Sequence, residues 1–69
     1  MNINTGELWM CTETINVWVR NDRKTFRITG LGLVVNVHRN HDEFGDYYRV
    51  FWGNEMKDFM VNNFLERIS

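Results

Sequence analysis

Hydrophobic and polar positions alternate along most of this chain, with a period of two rather than 3.6. Alternating runs fall at residues 7–11, 15–19, 25–29, 31–38, 47–52 and 55–61, and turn-forming residues separate them. The sharpest separator is Gly53-Asn54. It fits a two-residue hairpin turn of type II′, in which glycine takes the first central position. That turn sets Trp52 opposite Glu55, Val50 opposite Lys57 and Tyr48 opposite Phe59. On the other face it sets Phe51 opposite Met56, Arg49 opposite Asp58 and Tyr47 opposite Met60. An opposite-charge cross-strand pair such as Arg49–Asp58 contributes about 0.2–1 kcal/mol, and at mid-strand it marks its own face as the wet one. Tyr48, Val50, Phe59 and Val61 are therefore expected in the core, with Trp52 at its edge. Tyr47, Phe51, Met56 and Met60 are left partly exposed. An apolar cluster in water is a candidate contact surface.

Earlier in the chain, residues 1–6 read as a frayed start. Leu8 and Met10 share one face of a first strand and Trp9 and Cys11 the other. Thr12-Glu13-Thr14 interrupts the pattern. Ile15, Val17 and Val19 then alternate with Asn16 and Trp18, and Asn21-Asp22 signals a turn, so residues 12–30 read as a long hairpin-like excursion. Gly30-Leu31-Gly32 marks a bulge, a bend or a close backbone approach, the kind of corner a small barrel needs. Beyond it Leu33, Val35 and Val37 point one way and Val34, Asn36 and His38 the other. A polar loop spans residues 40–46. Val61-Asn62-Asn63-Phe64 reads as a turn or one turn of 3-10 helix, because asparagine competes locally for backbone hydrogen bonds. A last strand at 65–68 would close against the first. The rival is a helix over 57–68, where Phe59, Val61, Phe64, Leu65 and Ile68 have roughly helical spacing; the two asparagines and the preceding turn weigh against it.

The expected fold is all-β, a small barrel of five to six antiparallel strands with a short 3-10 turn before the last strand, in one domain spanning residues 1–69. Hydrophobic residues are 43% of the chain and aromatics 14%, enough for one core and against disorder. Cys11 is the sole cysteine, has no partner within the chain, and suits a reducing compartment. No basic start followed by an apolar run occurs, so no signal peptide is expected. The densest apolar stretch, 31–37, falls far short of the ~20 residues that span a bilayer.

Charge changes the picture only locally. The net charge is −1, so no global field favours nucleic acid. Yet Arg20, Arg23, Lys24 and Arg27 crowd into eight positions with only Asp22 opposing, and Trp18 and Phe26 interleave with them. Basic and stacking side chains together are the parts of a nucleic-acid surface, so these six residues form an alternative binding site. Asp42, Glu43 and Asp46 form an acidic counterpart. Such runs are more often simply solvated loops. His38, His41, Asp42 and Glu43 offer metal-ligand types on one loop, but a tetrahedral site wants four ligands, usually with cysteine or a third histidine. Cys11 with a distant histidine gives no recognisable nucleophile–base arrangement. Neither catalytic residues, nor a metal, nor a cofactor is expected.

Gly6-Glu7-Leu8, then 30–35, then Tyr48-Arg49-Val50-Phe51-Trp52-Gly53-Asn54 and a closing Leu65-Glu66-Arg67-Ile68-Ser69, resemble the short Src-homology-3-like (SH3-like) barrels of tailed phages, akin to Tudor and KOW-type barrels. The resemblance covers about residues 6–69. It implies a viral, bacteriophage-encoded accessory protein in the host cytoplasm, not an enzyme and not in a membrane. Such a protein would bind a host or phage protein or a second copy of itself through Tyr47, Phe51, Met56 and Met60, or else nucleic acid through segment 20–27. The chain lacks the alanine-leucine-tyrosine-aspartate-tyrosine signature of peptide-binding relatives and has a basic rather than acidic first loop, so proline-rich peptides are not implied as ligands.

Overall fold

A computed structural model describes residues 2–41 and 45–69. Five strands follow in chain order: β1 (Leu8–Val19), β2 (Asp22–His41), β3 (Gly45–Trp52), β4 (Glu55–Phe59) and β5 (Phe64–Arg67). They form one antiparallel sheet in the order β4-β3-β2-β1-β5. A single 3-10 turn, Val61–Asn63, joins β4 to β5. The all-β expectation holds, and the helix considered over 57–68 does not form.

The β3–β4 hairpin has the register its turn demands. Tyr48 faces Phe59, Arg49 faces Asp58, Val50 faces Lys57, Phe51 faces Met56 and Trp52 faces Glu55. Gly53 has φ +63°, the left-handed value that glycine adopts without steric cost. Val50, Tyr48 and Phe59 are buried, and Trp52 is buried with them at the core's edge, where it lines an open groove. Arg49 and Asp58 pair in water at 3.3 Å. The ladder ends at Phe59, so the Tyr47–Met60 pairing does not extend it.

Val61 is a correction. It was expected in the core but is 41% exposed, because the 3-10 turn begins there and breaks the period of two. Asn63 makes that turn: its side-chain oxygen accepts from the Met60 backbone N–H at 3.0 Å, and its amide donates to the Thr12 carbonyl at 3.1 Å, pinning the turn onto β1. Phe64 emerges inward instead. Its ring stands edge-on to Trp9 (5.8 Å), Tyr48 (5.5 Å) and Phe59 (6.1 Å), joining β1, β3 and β4 through one side chain. Edge-to-face pairs of this kind contribute about 0.5–1.5 kcal/mol each beyond area burial.

The chain start is a second correction. Residues 1–6 were expected to fray, yet Ile3 is wholly buried in the core. Gly6 donates to the Val34 carbonyl at 2.7 Å, Val34 donates back to the Glu7 carbonyl at 3.0 Å, and Arg39 reaches the Ile3 carbonyl at 3.3 Å. A segment anchored at Ile3, Gly6 and Glu7 is tied to the body.

Two further differences concern β1 and β2. Thr12-Glu13-Thr14 does not interrupt β1; the strand runs through, and the buried Thr12 hydroxyl bonds the Ile28 carbonyl at 3.1 Å and the Thr29 hydroxyl at 2.9 Å. The β1–β2 ladder passes Gly30 and Gly32 without a bulge. These glycines serve close approach. A Cβ on Gly32 would lie 2.6 Å from Val50 Cγ1 and 2.9 Å from Cys11 Sγ. The β2–β3 register shifts between Val34 and Asn36 and again between His38 and His41. The first of these is a bulge beside the core. It separates Val37 from the face of Leu33 and turns it against the core beside Val34.

The hairpin-like excursion is real: β1 and β2 stay paired out to Val19 opposite Asp22, with Arg20 (φ 51°) and Asn21 (φ 68°) as the two turn residues, one position earlier than Asn21-Asp22. β5 covers β1 only along Trp9–Cys11, and β3 covers β2 only from Gly32 on. The remainder projects as a two-stranded arm. The radius of gyration is accordingly 13.4 Å, against about 11 Å for a compact chain of this length.

Candidate functional site

Side chains that face one another across a strand pair share a side of the sheet. On the outer side, Met56 faces Phe51, Phe51 faces Leu33, and Leu33 faces Leu8. Four strands thus contribute to one apolar row, with Met56 at 56% exposure and Phe51 at 44%, Leu33 exposed and Leu8 half-buried. Beside it Leu31, half exposed, faces Met10. The structure therefore brings together two of the four expected contact residues. Tyr47 lies four residues before Phe51 on β3, half-buried, its ring stacked on His38 at 4.4 Å. Between it and the row stands the Arg49–Asp58 ion pair. Met60, exposed, closes the end of β4 where the 3-10 turn starts.

Leu8, Leu33, Leu31 and Met10 were not in the expected surface. Alternation had put Leu8 and Met10 on one face. Only the β1–β2–β3 registers, which join residues up to 43 positions apart, show that this face continues Phe51.

The alternative site is divided by the arm. Cross-strand pairing puts Trp18 with Arg23 and Arg27 with Thr14 on the outer side, while Phe26 pairs with Ile15 and Lys24 with Val17 on the inner side. Arg20 sits in the turn. Trp18 is 71% exposed, whereas Trp9 and Trp52 are buried. Asn16 and Thr25, between the Trp18 and Arg27 positions, are hydrogen-bonded to each other at 2.8 Å.

On the inner side, the base of the arm and the β3–β4 hairpin enclose an open groove of about 400 Å³, lined by Ile15, Ile28, Trp52, Glu13, Glu55 and Lys57 among others. Lys57 closes one wall. Its ammonium donates to Glu13 at 2.6 Å, lies 3.7 Å from Glu55, and sits 5.2 Å from the Trp52 ring centroid. The Glu13 hydrogen bond, foremost, holds the Lys57 pKa above its ordinary value. The Trp52 indole N–H is buried without a hydrogen-bond partner among the described residues.

Cys11 is wholly buried, and burial pushes its thiol up to about 11, so the nucleophilic thiolate is scarce near neutrality. Glu7 is held below the usual carboxylate range, first by the Asn4 backbone N–H and then by the Trp9 indole and Arg67. Of the metal-ligand types weighed above, Asp42 and Glu43 lie outside the described residues, as do two of the three carboxylates of the acidic cluster; the third, Asp46, approaches Arg39 at 3.7 Å. Among the described residues no group of three or more His, Cys, Asp and Glu side chains could hold a metal ion, and no helix is long and apolar enough to cross a membrane.

No family model, curated protein or solved structure matches this chain.

Proposed function

We propose that this chain is a non-enzymatic binding module, a bacteriophage accessory protein with a small SH3-like barrel. It acts in the host cytoplasm by binding a host or viral protein, or a second copy of itself, through the outer face of its sheet. The observation that carries this reading is the row Met56–Phe51–Leu33–Leu8, apolar across four strands, with Met56, Phe51 and Leu33 open to water and Leu8 half-buried at its end. Methionine and aromatic side chains are the types enriched at the centres of protein contacts. The polar Arg49–Asp58 pair beside the row has the character of a rim. The barrel reading is supported by the strand order and by the ring contact across the 3-10 turn between its two edge strands, Phe59 of β4 lying 6.1 Å from Phe64 of β5.

The test is sedimentation velocity across a concentration series, together with affinity capture from host lysate, for wild type and Phe51→Asp. The expected result is either a wild-type mass above 8.3 kDa that falls to the monomer in the variant, or a captured protein that the variant no longer retains. A monomeric wild type whose captured proteins are unchanged by Phe51→Asp overturns the reading.

A further inference from the structure

The arm has a chemistry that the row at its base does not share. Segment 20–27 holds Arg20, Arg23, Lys24 and Arg27 against Asp22, a net +3. The rest of the chain therefore carries −4 of the overall −1. A charge so divided leaves the arm as the part that meets a polyanion, while the body is repelled by it.

Strand alternation sharpens this. The outer side of the arm carries Trp18, Arg23 and Arg27, with Arg20 at its tip and the neutral Thr14, Asn16 and Thr25 between. Asp22 is turned to the inner side with Lys24 and Val17. The outer side of the arm thus presents guanidinium groups and hydroxyls with no carboxylate among them. In its midst, opposite Arg23, the Trp18 indole stands 71% exposed. An indole in water on a basic ribbon is poorly suited to a solubilising role, and it suits stacking on an unpaired base. The row Thr12–Thr29, joined through its hydroxyls at 2.9 Å, separates this region from the apolar row at the base of the arm.

We propose that the outer side of the β1–β2 arm binds single-stranded nucleic acid, with Trp18 stacking on a base and Arg20, Arg23 and Arg27 contacting the phosphate backbone. Phe26 and Lys24 take no direct part, because they face the other way.

The experiment is a fluorescence titration of the full chain with an oligothymidylate of about 12 nucleotides, within the span that small single-strand-binding barrels cover. Trp9 and Trp52 are buried, so quenching reports Trp18. Stacking quenches the emission, and Trp18→Phe removes the quenched component. Three phosphate contacts predict a slope of log K against log salt of about −2, since single strands give about −0.7 per contact. Arg23→Gln and Lys24→Gln remove the same charge from opposite sides of the arm. Arg23→Gln is expected to weaken binding about fivefold and to flatten the slope by about 0.7, whereas Lys24→Gln changes affinity less than about twofold. Absence of quenching at low salt overturns the proposal. So do equal losses in the two glutamine variants, or polyglutamate binding as tightly as the oligonucleotide; the last would make the arm a patch for acidic protein. Phe51→Asp lies outside the arm and leaves this titration unchanged, so the protein-binding reading stands or falls separately.

Discussion

At the scale of single residues, the close approaches in the core are made by side chains that are absent. Gly32 is the clearest case. It has ordinary strand geometry, and its need is for space: Val50 and Cys11 fill the volume a methyl group would take. Gly32→Ala should destabilise the fold by about 1–3 kcal/mol through overpacking, a loss of several degrees or more in melting temperature. Thermal unfolding followed by circular dichroism checks this, with Gly6→Ala as the contrasting case: a Cβ there meets nothing within 4 Å and the cost comes from φ +91° alone. The sequence showed that 30–32 was special and offered close approach as one reason. It did not show which neighbours came close, because Cys11 and Val50 approach Gly32 from two other strands. Ile3 was illegible for a similar reason. A single isoleucine among polar residues carries no period, and its burial depends on hydrogen bonds to β2, over thirty positions away.

At the scale of elements, legibility follows sequence distance. The β3–β4 hairpin could be read residue by residue, since Gly53-Asn54 imposes both its geometry and its register. Gly53→Val should cost about 1–2 kcal/mol, because a β-branched residue is strained at φ +63°, and should lower the urea midpoint. Asn54→Ala, which has no left-handed backbone to satisfy, should cost far less; equal losses would count against the type II′ turn. The 3-10 turn was also legible, through Asn62 and Asn63, but its consequence was not. Once the period of two breaks, Val61 turns to solvent and Phe64 takes the inward position. The arm is legible as a hairpin, but the sequence pattern suggests an interrupted first strand where the structure has a continuous one. Thr12-Glu13-Thr14 reads as a break because it is polar, yet Thr12 bonds Thr29 across the ladder and the strand continues.

At the scale of the whole molecule, the sheet separates two chemistries on its outer side: an apolar row at the base and a basic ribbon on the arm. Neither could be drawn from the sequence. Phe51 and Met56 were legible as neighbours across one turn, but Leu33 and Leu8 join them only when three strands are in register. Segment 20–27 was legible as basic, but the sorting of Trp18, Arg23 and Arg27 to one side, and of Phe26 and Lys24 to the other, needs the Arg20-Asn21 turn to be placed correctly. The pH dependence of stability is also a property of the whole fold. Glu7 ties the chain start to β1 and β5, and its pKa is lowered in the fold. Its contribution is present above the unfolded carboxylate pKa and is lost as pH falls through the lower folded value. Lys57, with its pKa raised, acts in the opposite sense: its contribution is lost only as pH rises through its elevated folded pKa, above 10.5.

The alternation of Val50 and Phe51 underlies both the core and the proposed contact row, and the most direct test is urea unfolding of Val50→Asp beside Phe51→Asp. The predicted result is a cooperative transition within about 0.5 kcal/mol of wild type for Phe51→Asp, and loss of about 4 kcal/mol or more for Val50→Asp, whose carboxylate would be wholly buried opposite a Lys57 already engaged by Glu13. A folded Val50→Asp with an unfolded Phe51→Asp would contradict the account.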